Sequence, residues 1–202
     1  MTAATRLRWP PMTSQPLSPE RPVVIVLAAG RGDRFRAAGG QTGKLEAMLA
    51  GRPVLAHVLD AVHRSGLDCH VVRPQHLAHM PGAGMGDSIA TGVSATADAA
   101  AWLVLPGDLP LIRADTLRRV AEALMALPPG QATVQPQYQG QRGHPVGFRR
   151  PCEGALRALQ GDEGARSVLR QWPAHLLDVD DEGAVWDVDT PERLEQAARR
   201  LR

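Results

Sequence analysis

A glycine-rich basic loop, the chain's only lysine and two aspartates are the residues whose types and spacing could do chemistry together. Ala28, Ala29, Gly30 and Gly32 leave little side-chain bulk after Leu27, so backbone N–H groups there can approach a ligand, and Arg31 and Arg34 add positive charge. That combination suits a phosphate. The dinucleotide pattern G-x-G-x-x-G fits Gly30 and Gly32 but fails at Phe35, and the Walker A pattern fails at Ala38 and Leu45. On the loop alone, a phosphate cradle and a tight strand-to-helix turn with solvated arginines stand equally. Asp108, in Pro106-Gly-Asp-Leu-Pro110, and Asp189, in Asp187-Val-Asp-Thr-Pro191, could be a turn residue and a helix cap, respectively. If both face the loop, they form a site for Mg²⁺ carrying a nucleoside triphosphate, because Mg²⁺ takes one or two carboxylates and completes its shell with phosphate oxygens and water.

The flanking elements place these residues at one edge. Val23 to Leu27 is continuously apolar and rich in β-branched residues, a strand buried on both faces as in a parallel sheet. Ala101 to Leu105 repeats that character and delivers Asp108 to the carboxyl edge, where open α/β sheets bind ligands. Gly51-Arg-Pro53 opens a helix with proline first, Val54 to Val62 carries its stripe, and Ser65-Gly66 ends it. Asp68 to Val72 reads as a short strand. Asp87 or Ser88 caps a helix beginning near Ile89, and Asp115 caps another bearing Leu117, Val120, Ala121 and Leu124.

After Gln131, extended pieces near Thr133 and Val146 flank a polar turn, and helical segments follow near Gly154–Leu159 and Gly164–Trp172. Leu176–Val179 and Val185–Val188 read as strands, and alternation along the second aims Asp187 and Asp189 the same way. Thr190-Pro191 starts the last helix, striped by Leu194, Ala197, Ala198 and Leu201. Alternating strands and helices through the first 130 residues predict a right-handed, mostly parallel α/β sheet with a mixed-strand region after the third unit. Arg36 to Gly43, rich in Gly and Ala, reads as a loose segment.

Composition narrows the class. The 202 residues suit one domain over 21–202 behind a disordered Pro/Ser/Thr-rich leader, 1–20. Lysine and arginine (23) barely exceed the acids (21), without the basic excess that nucleic-acid binding needs. No run has transmembrane length, and the leader lacks a signal-peptide core. Cys69 and Cys152 read as buried free thiols of a reducing compartment, and His76 and His79 lack partners for a metal set. The expectation is a cytoplasmic protein without membrane or nucleic-acid partners.

L-A-A-G-x-G-x-R from Leu27, the downstream Lys44, P-G-D-x-P, G-H-P-V-x-F from Gly143, G-D-x-G-A-R from Gly161 and D-V-D-T-P-E from Asp187 occur in that order. Together they resemble the MobA-like nucleotidyltransferase family, most closely its molybdenum cofactor cytidylyltransferase branch. The resemblance implies a Rossmann-like three-layer α/β/α sandwich of the nucleotide-diphospho-sugar transferase type. It implies Mg²⁺-dependent transfer of CMP from CTP to a phosphorylated acceptor of molybdopterin type, with transient contact to a molybdoenzyme or its chaperone.

By the same resemblance, Leu27, Ala28, Ala29, Gly30, Arg31, Gly32 and Arg34 bind nucleotide, Lys44 neutralises the triphosphate, and Ser88 helps hold base and ribose. Arg34, Lys44 and Asp108 are catalytic, Asp108 and Asp189 bind metal, and Gly143, His144 and Pro145 face the acceptor. Ala29, where guanosine-using relatives carry glycine, favours CTP. The stretch Phe35–Gly43 between Arg34 and Lys44 is longer than in relatives, which suits a lid or a different acceptor. GTP use, a sugar- or polyol-phosphate acceptor, and a non-catalytic carrier of molybdenum cofactor are the alternatives.

Overall fold

The structure is a computed structural model and describes residues 21–30 and 32–201. The leader 1–20, Arg31 and Arg202 lie outside the described residues. In chain order the elements are β1 (Pro22–Leu27), α1 (Asp33–Ala37), β2 (Met48–Leu49), β3 (Arg52–Pro53), α2 (Val54–Ser65), β4 (Asp68–Val72), α3 (Met85–Ala95) and β5 (Ala101–Pro106). There follow α4 (Ala114–Ala126), β6 (Thr133–Tyr138), β7 (Gln141–Arg142), β8 (Val146–Arg149), α5 (Glu153–Arg157), α6 (Arg166–Gln171), β9 (His175–Asp178) and α7 (Pro191–Arg200).

The main sheet runs β4-β1-β5-β8-β6-β7, with β9 also paired to β6. β4, β1 and β5 are parallel, β8 runs antiparallel to both β5 and β6, and β9 is parallel to β6. The sheet is therefore mostly parallel with a mixed region after β5, as the alternation predicts. β1 shows why its sequence is apolar throughout. Val24 and Val26 pack into the cluster under α2 and α4, while Val23 and Ile25 pack into the cluster under α3, α5 and α6. Each such side chain contributes about 1.5–3 kcal/mol by leaving water. Helices on both faces make a three-layer α/β/α sandwich. On the α3 side a Cβ at Gly92 would lie 2.4 Å from Ile25 Cγ2, so glycine lets that helix close onto β1.

A third cluster joins Phe35, Leu49, Val54, Val188 and Ala197, tying α1 and α7 to the edge that carries the glycine loop. Of the segment 36–43 expected to be loose, Arg36 and Ala37 belong to α1, whose Phe35 is 3% exposed, and Gly40 N donates to the Phe35 carbonyl at 3.0 Å. Glycine is required at 40 because a Cβ would overlap the Phe35 ring.

Several boundaries differ from the sequence reading. Pro53 is the extended residue before α2 rather than its first helical one, because Arg52-Pro53 pairs with Met48-Leu49 across a turn in which Ala50 and Gly51 have positive φ. The helix expected near Ile89 begins at Met85, and neither Asp87 nor Ser88 is its cap residue. Asp115 is not the cap of α4 either; that position is Arg113, whose N–H donates to the distant Asp181. Val185–Val188 forms no strand: Val185 N donates to Glu182 O in the turn just before it, Val188 N donates to Asp108 O, and Val188 packs into the third cluster. Leu201 is 42% exposed, beyond the packed part of the α7 stripe. Cys152 is buried, whereas Cys69 is only partly so; both are free. No helix among the described residues is long and apolar enough to cross a membrane.

Candidate functional site

The site is assembled at the carboxyl edge of the parallel strands. Ala28 N donates to Val72 O and Gly107 N to Leu27 O, at 2.9 and 3.0 Å, which locks the end of β1 between the ends of β4 and β5. A Cβ at Gly107 would lie 2.9 Å from Leu27 O, so the glycine before Asp108 permits this approach. The loop then rises to Gly32, the cap residue of α1, whose left-handed conformation (φ 65°) glycine adopts without strain.

Asp108, at the turn after β5, meets Asp189, just before α7, through Lys44. The ammonium donates to Asp108 Oδ2 at 2.5 Å and to Asp189 Oδ1 at 2.7 Å. All three side chains are mostly buried, at 19% exposure for Lys44, 12% for Asp108 and 28% for Asp189. Arg34 Nη1 approaches the outer oxygen of Asp189 at 3.7 Å, but its side chain is 88% exposed, so this contact is weak. Burial works against the charge on Lys44, yet Asp108 and then Asp189 outweigh it and raise its pKa. Burial likewise opposes ionisation of Asp189, and hydrogen bonding and attraction from Lys44, helped by Arg34, bring its pKa down. The set is a charged pair of carboxylates around one ammonium.

Asp187 and Asp189 both line the same cavity, as expected, but they meet different cations. Without a strand between them, Asp187 turns to Arg193 Nη2 at 3.0 Å, while its carbonyl accepts from Arg193 Nε at 2.6 Å. The segment carrying both is held by backbone contact instead, Val188 N donating to Asp108 O at 2.9 Å. Thr190 caps α7 as expected, accepting from Arg193 N.

A second wall comes from the start of α3 and the Gly161–Gly164 turn. Asp87 Oδ2 accepts from Gly84 N and Gly161 N, both at 2.8 Å, and Gly86 N donates to Gly161 O at 2.8 Å. A Cβ at Gly84 would lie 2.3 Å from Gly161 O, so the two glycine-rich motifs meet backbone to backbone. Ser88 is 5% exposed and spends its hydroxyl hydrogen on Gly84 O at 3.0 Å.

The third wall is the loop between β7 and β8. His144 N donates to Ala184 O at 2.8 Å, and the His144–Pro145 peptide is cis. A Cβ at Gly143 would lie 2.4 Å from Ala184 O, which accounts for glycine there. Burial lowers the His144 pKa more than nearby Asp108 and Asp187 raise it, leaving a neutral ring at pH 7. Its Nδ1 is buried without a partner among the described residues.

These walls enclose a cavity of about 770 Å³, large enough for a nucleotide and part of a second substrate. Ala29, Gly30, Gly32, Arg34, Lys44, Ser88, Asp108, Gly143, His144 and Asp189 line it, so most of the expected site residues converge. Leu27, Ala28 and Pro145 do not line it: Leu27 ends β1, Ala28 is buried beneath the loop, and Pro145 is buried behind His144. Arg31 lies outside the described residues. The sequence reading missed Gln141, Arg142 and Asp162 as lining residues, although Arg142 abuts the G-H-P motif and Asp162 sits inside G-D-x-G.

Among the described residues no cluster of three or more acids, histidines or cysteines is arranged to hold a metal. The donor set still fits a hard divalent cation that arrives with phosphates. Two carboxylates could supply protein ligands, and Asp108 Oδ1 is buried without a partner among the described residues.

Comparison with known proteins places the chain in a family and a fold. The sequence profile of the MobA-like NTP transferase domain matches residues 24–176. The chain is 31% identical over 196 residues to the bifunctional protein GlmU of Stenotrophomonas maltophilia R551-3, a match covering 82% of this chain and 42% of that protein. It thus spans about two-fifths of the length of that curated relative. Among solved structures, Rv0371c from Mycobacterium tuberculosis H37Rv superposes with a TM-score of 0.73 at 23% identity, covering 89% of this chain and 98% of that one. A manganese complex of the same protein superposes with a TM-score of 0.65 and the same identity and coverage. Molybdopterin-guanine dinucleotide biosynthesis protein A from Archaeoglobus fulgidus gives 0.65 at 19% identity, over 89% and 98% of the two chains. At these identities the structural likenesses speak to the fold.

Proposed function

The chain belongs to the MobA-like NTP transferase family, and on that premise we propose that it transfers CMP from CTP to a phosphorylated acceptor of molybdopterin type, releasing pyrophosphate. The observation that carries this reading is the Lys44 ammonium held between Asp108 and Asp189 beside the small residues Ala29, Gly30 and Gly32. Such a site concentrates cationic charge where a triphosphate would lie and brings together two carboxylates that could hold a divalent ion accompanying it.

A phosphate oxygen of the acceptor forms a bond to the α-phosphorus as the bond to the pyrophosphate oxygen breaks in line. The nucleophile is already an anion, so no strong general base is required, and the neutral His144 is consistent with that. The barrier lies in bringing anions together and in charge growing on the leaving group. Loop N–H groups, Lys44 and Arg34 meet that charge. Bound Mg²⁺, held by Asp108 and Asp189, would supply further neutralisation of the triphosphate. Gly143 and His144 form the wall assigned to the acceptor, and Ala29 narrows the base pocket toward a pyrimidine. The product would pass to a molybdoenzyme or its chaperone in the cytoplasm through transient contact.

A second reading, GTP use or a sugar- or polyol-phosphate acceptor, is favoured by the likeness to GlmU and by the extra turn folded around Phe35. Pyrophosphate release, measured with CTP and GTP across phosphate acceptors in the presence of Mg²⁺, separates the two. Asp108→Ala should abolish turnover while leaving far-UV circular dichroism unchanged. A fully active Asp108→Ala protein overturns the assignment of the site.

A further inference from the structure

Lys44 stands where the fit to a divalent cation is best. Its ammonium contacts Asp108 Oδ2 and Asp189 Oδ1, one oxygen of each carboxylate, and so sits between the two groups that would hold a metal ion. Of the other cations near them among the described residues, Arg34 approaches only the outer oxygen of Asp189 and from an exposed position, and Arg193 pairs with Asp187. The chain therefore carries its own counterion for the acid pair, and an ammonium seated between the two carboxylates repels a divalent ion that would bind between them.

The surroundings of Lys44 give its side chain somewhere to go. Its stem lies beside Gly32, where a Cβ would be 3.4 Å from Lys44 Cγ, and the Cβ direction of Gly30 meets nothing within 4 Å. Both glycines belong to the loop read above as the triphosphate cradle. Phosphate oxygens on that loop would offer the ammonium new partners and vacate the carboxylates.

We propose that Lys44 is the residue that makes this site select a metal–triphosphate complex over the free metal ion, by occupying Asp108 and Asp189 until a triphosphate draws its ammonium away. The proposal rests on the nucleotidyltransferase reading. It adds a specificity role for Lys44 distinct from simple neutralisation of substrate. In the ligand-free protein the acid pair is available to metal only in the minor fraction of molecules whose lysine has left. A competent state of about ten per cent weakens apparent metal affinity by about tenfold.

The test uses Mn²⁺ alone as probe, followed by electron paramagnetic resonance at pH 7.5, with and without the α,β-methylene analogue of CTP. Wild type should bind free Mn²⁺ weakly and bind it at least about tenfold tighter with the analogue present. Lys44→Met should bind free Mn²⁺ about tenfold tighter than wild type, with the difference lost in Asp108→Asn/Lys44→Met. Lys44→Gln, which keeps an amide donor between the acids, should fall between the two. In the same samples Mn²⁺ should raise the melting temperature of Lys44→Met more than that of wild type. Wild type that gains Mn²⁺ with the analogue, beside Lys44 variants no tighter for free Mn²⁺, overturns the lysine's role alone. No gain of Mn²⁺ with the analogue in wild type overturns the nucleotide reading together with it.

Discussion

Asp181 is expected to be among the most important polar side chains for stability, and its removal gives a sharp contrast with Asp115. The Asp181 carboxylate is 3% exposed. Its Oδ2 accepts from Arg113 N at 3.0 Å and from Thr116 Oγ1 at 2.6 Å, and its Oδ1 accepts from Gly183 N at 2.9 Å. It thereby supplies to α4 the cap that no residue of α4's own start provides. Asp181→Ala would strand three donors around a buried gap. Hydrogen bonds to a charged acceptor are worth about 1.5–3 kcal/mol each, and losses that share one acceptor do not add fully, so about 3–5 kcal/mol is expected. For a chain of this length that lowers the melting temperature by roughly 10 °C.

Asp115, by contrast, is 65% exposed and pairs only with Arg118 across one turn, at 3.3 Å. Asp115→Ala should change stability by less than about 0.5 kcal/mol. Urea unfolding followed by far-UV circular dichroism measures both. Asp181→Asn should be nearly as damaging as Ala, because an amide turns a donor toward N–H and O–H groups that need an acceptor. If Asp115→Ala lost as much as Asp181→Ala, or if Asp181→Ala stayed within 1 kcal/mol of wild type, the assignment of the α4 cap would be refuted.

Other changes reach the site more directly. Gly84→Ala places a Cβ 2.3 Å from Gly161 O and 2.5 Å from Asp162 Oδ1, so the turn at 161–164 must move out; the KM for CTP should rise on the order of tenfold, and an unchanged KM would remove that wall from the nucleotide site. Gly32→Ala forces a side chain into a left-handed residue, costing about 1–2 kcal/mol, and brings a Cβ within 3.3 Å of Lys44 N; both melting temperature and turnover should fall, and retention of both would show that the loop relaxes freely. Cys152 tests burial through pH. It is 0% exposed, and burial pushes its thiol from 9.0 up to about 12. The folded protein keeps this proton while the unfolded chain loses it above about pH 9, so the associated stability is intact below that pH and falls by up to about 1.4 kcal/mol per unit as pH climbs toward 12. The stability gap between wild type and Cys152→Ala should therefore shrink from pH 8 to pH 10, and a constant gap contradicts the shift.

Features fixed by local chemistry were legible in the sequence. The apolar runs of β1 and β5 could only be strands covered on both sides, and Thr190-Pro191 caps α7 through its own side chain. Elements fixed by distant partners were not. The start of α3 is set by Asp87 bonding across to Gly161, and that of α4 by Asp181, each many residues away. Val185–Val188 has the composition of a strand but finds no neighbour to pair with. Trp186 lies under the guanidinium groups of Arg193 and Arg200 at 4.4 and 3.7 Å, while Val188 packs toward α1 and α7. The cavity's chemistry was readable as residue types, whereas the bridge from Lys44 to both aspartates exists only because three separate loops converge on one sheet edge.

That convergence divides the site into fixed and movable parts. The Asp108 and Asp189 segments are joined by Val188 N to Asp108 O, and the stretch after Asp108 is pinned by Arg113 N donating to Asp181 and by the close approach of Leu111 O to Gly183. The glycine loop is anchored at its base by Ala28 N and Leu27 O. Backbone thus sets the distance between the acids and the direction of the loop, and neither can adjust far without breaking buried hydrogen bonds. Lys44 alone among the three central charges reaches its partners through a four-carbon stem. A polyanion entering such a site would meet fixed carboxylates and a cation able to follow it, and the energetic response to ligand concentrates in that one side chain.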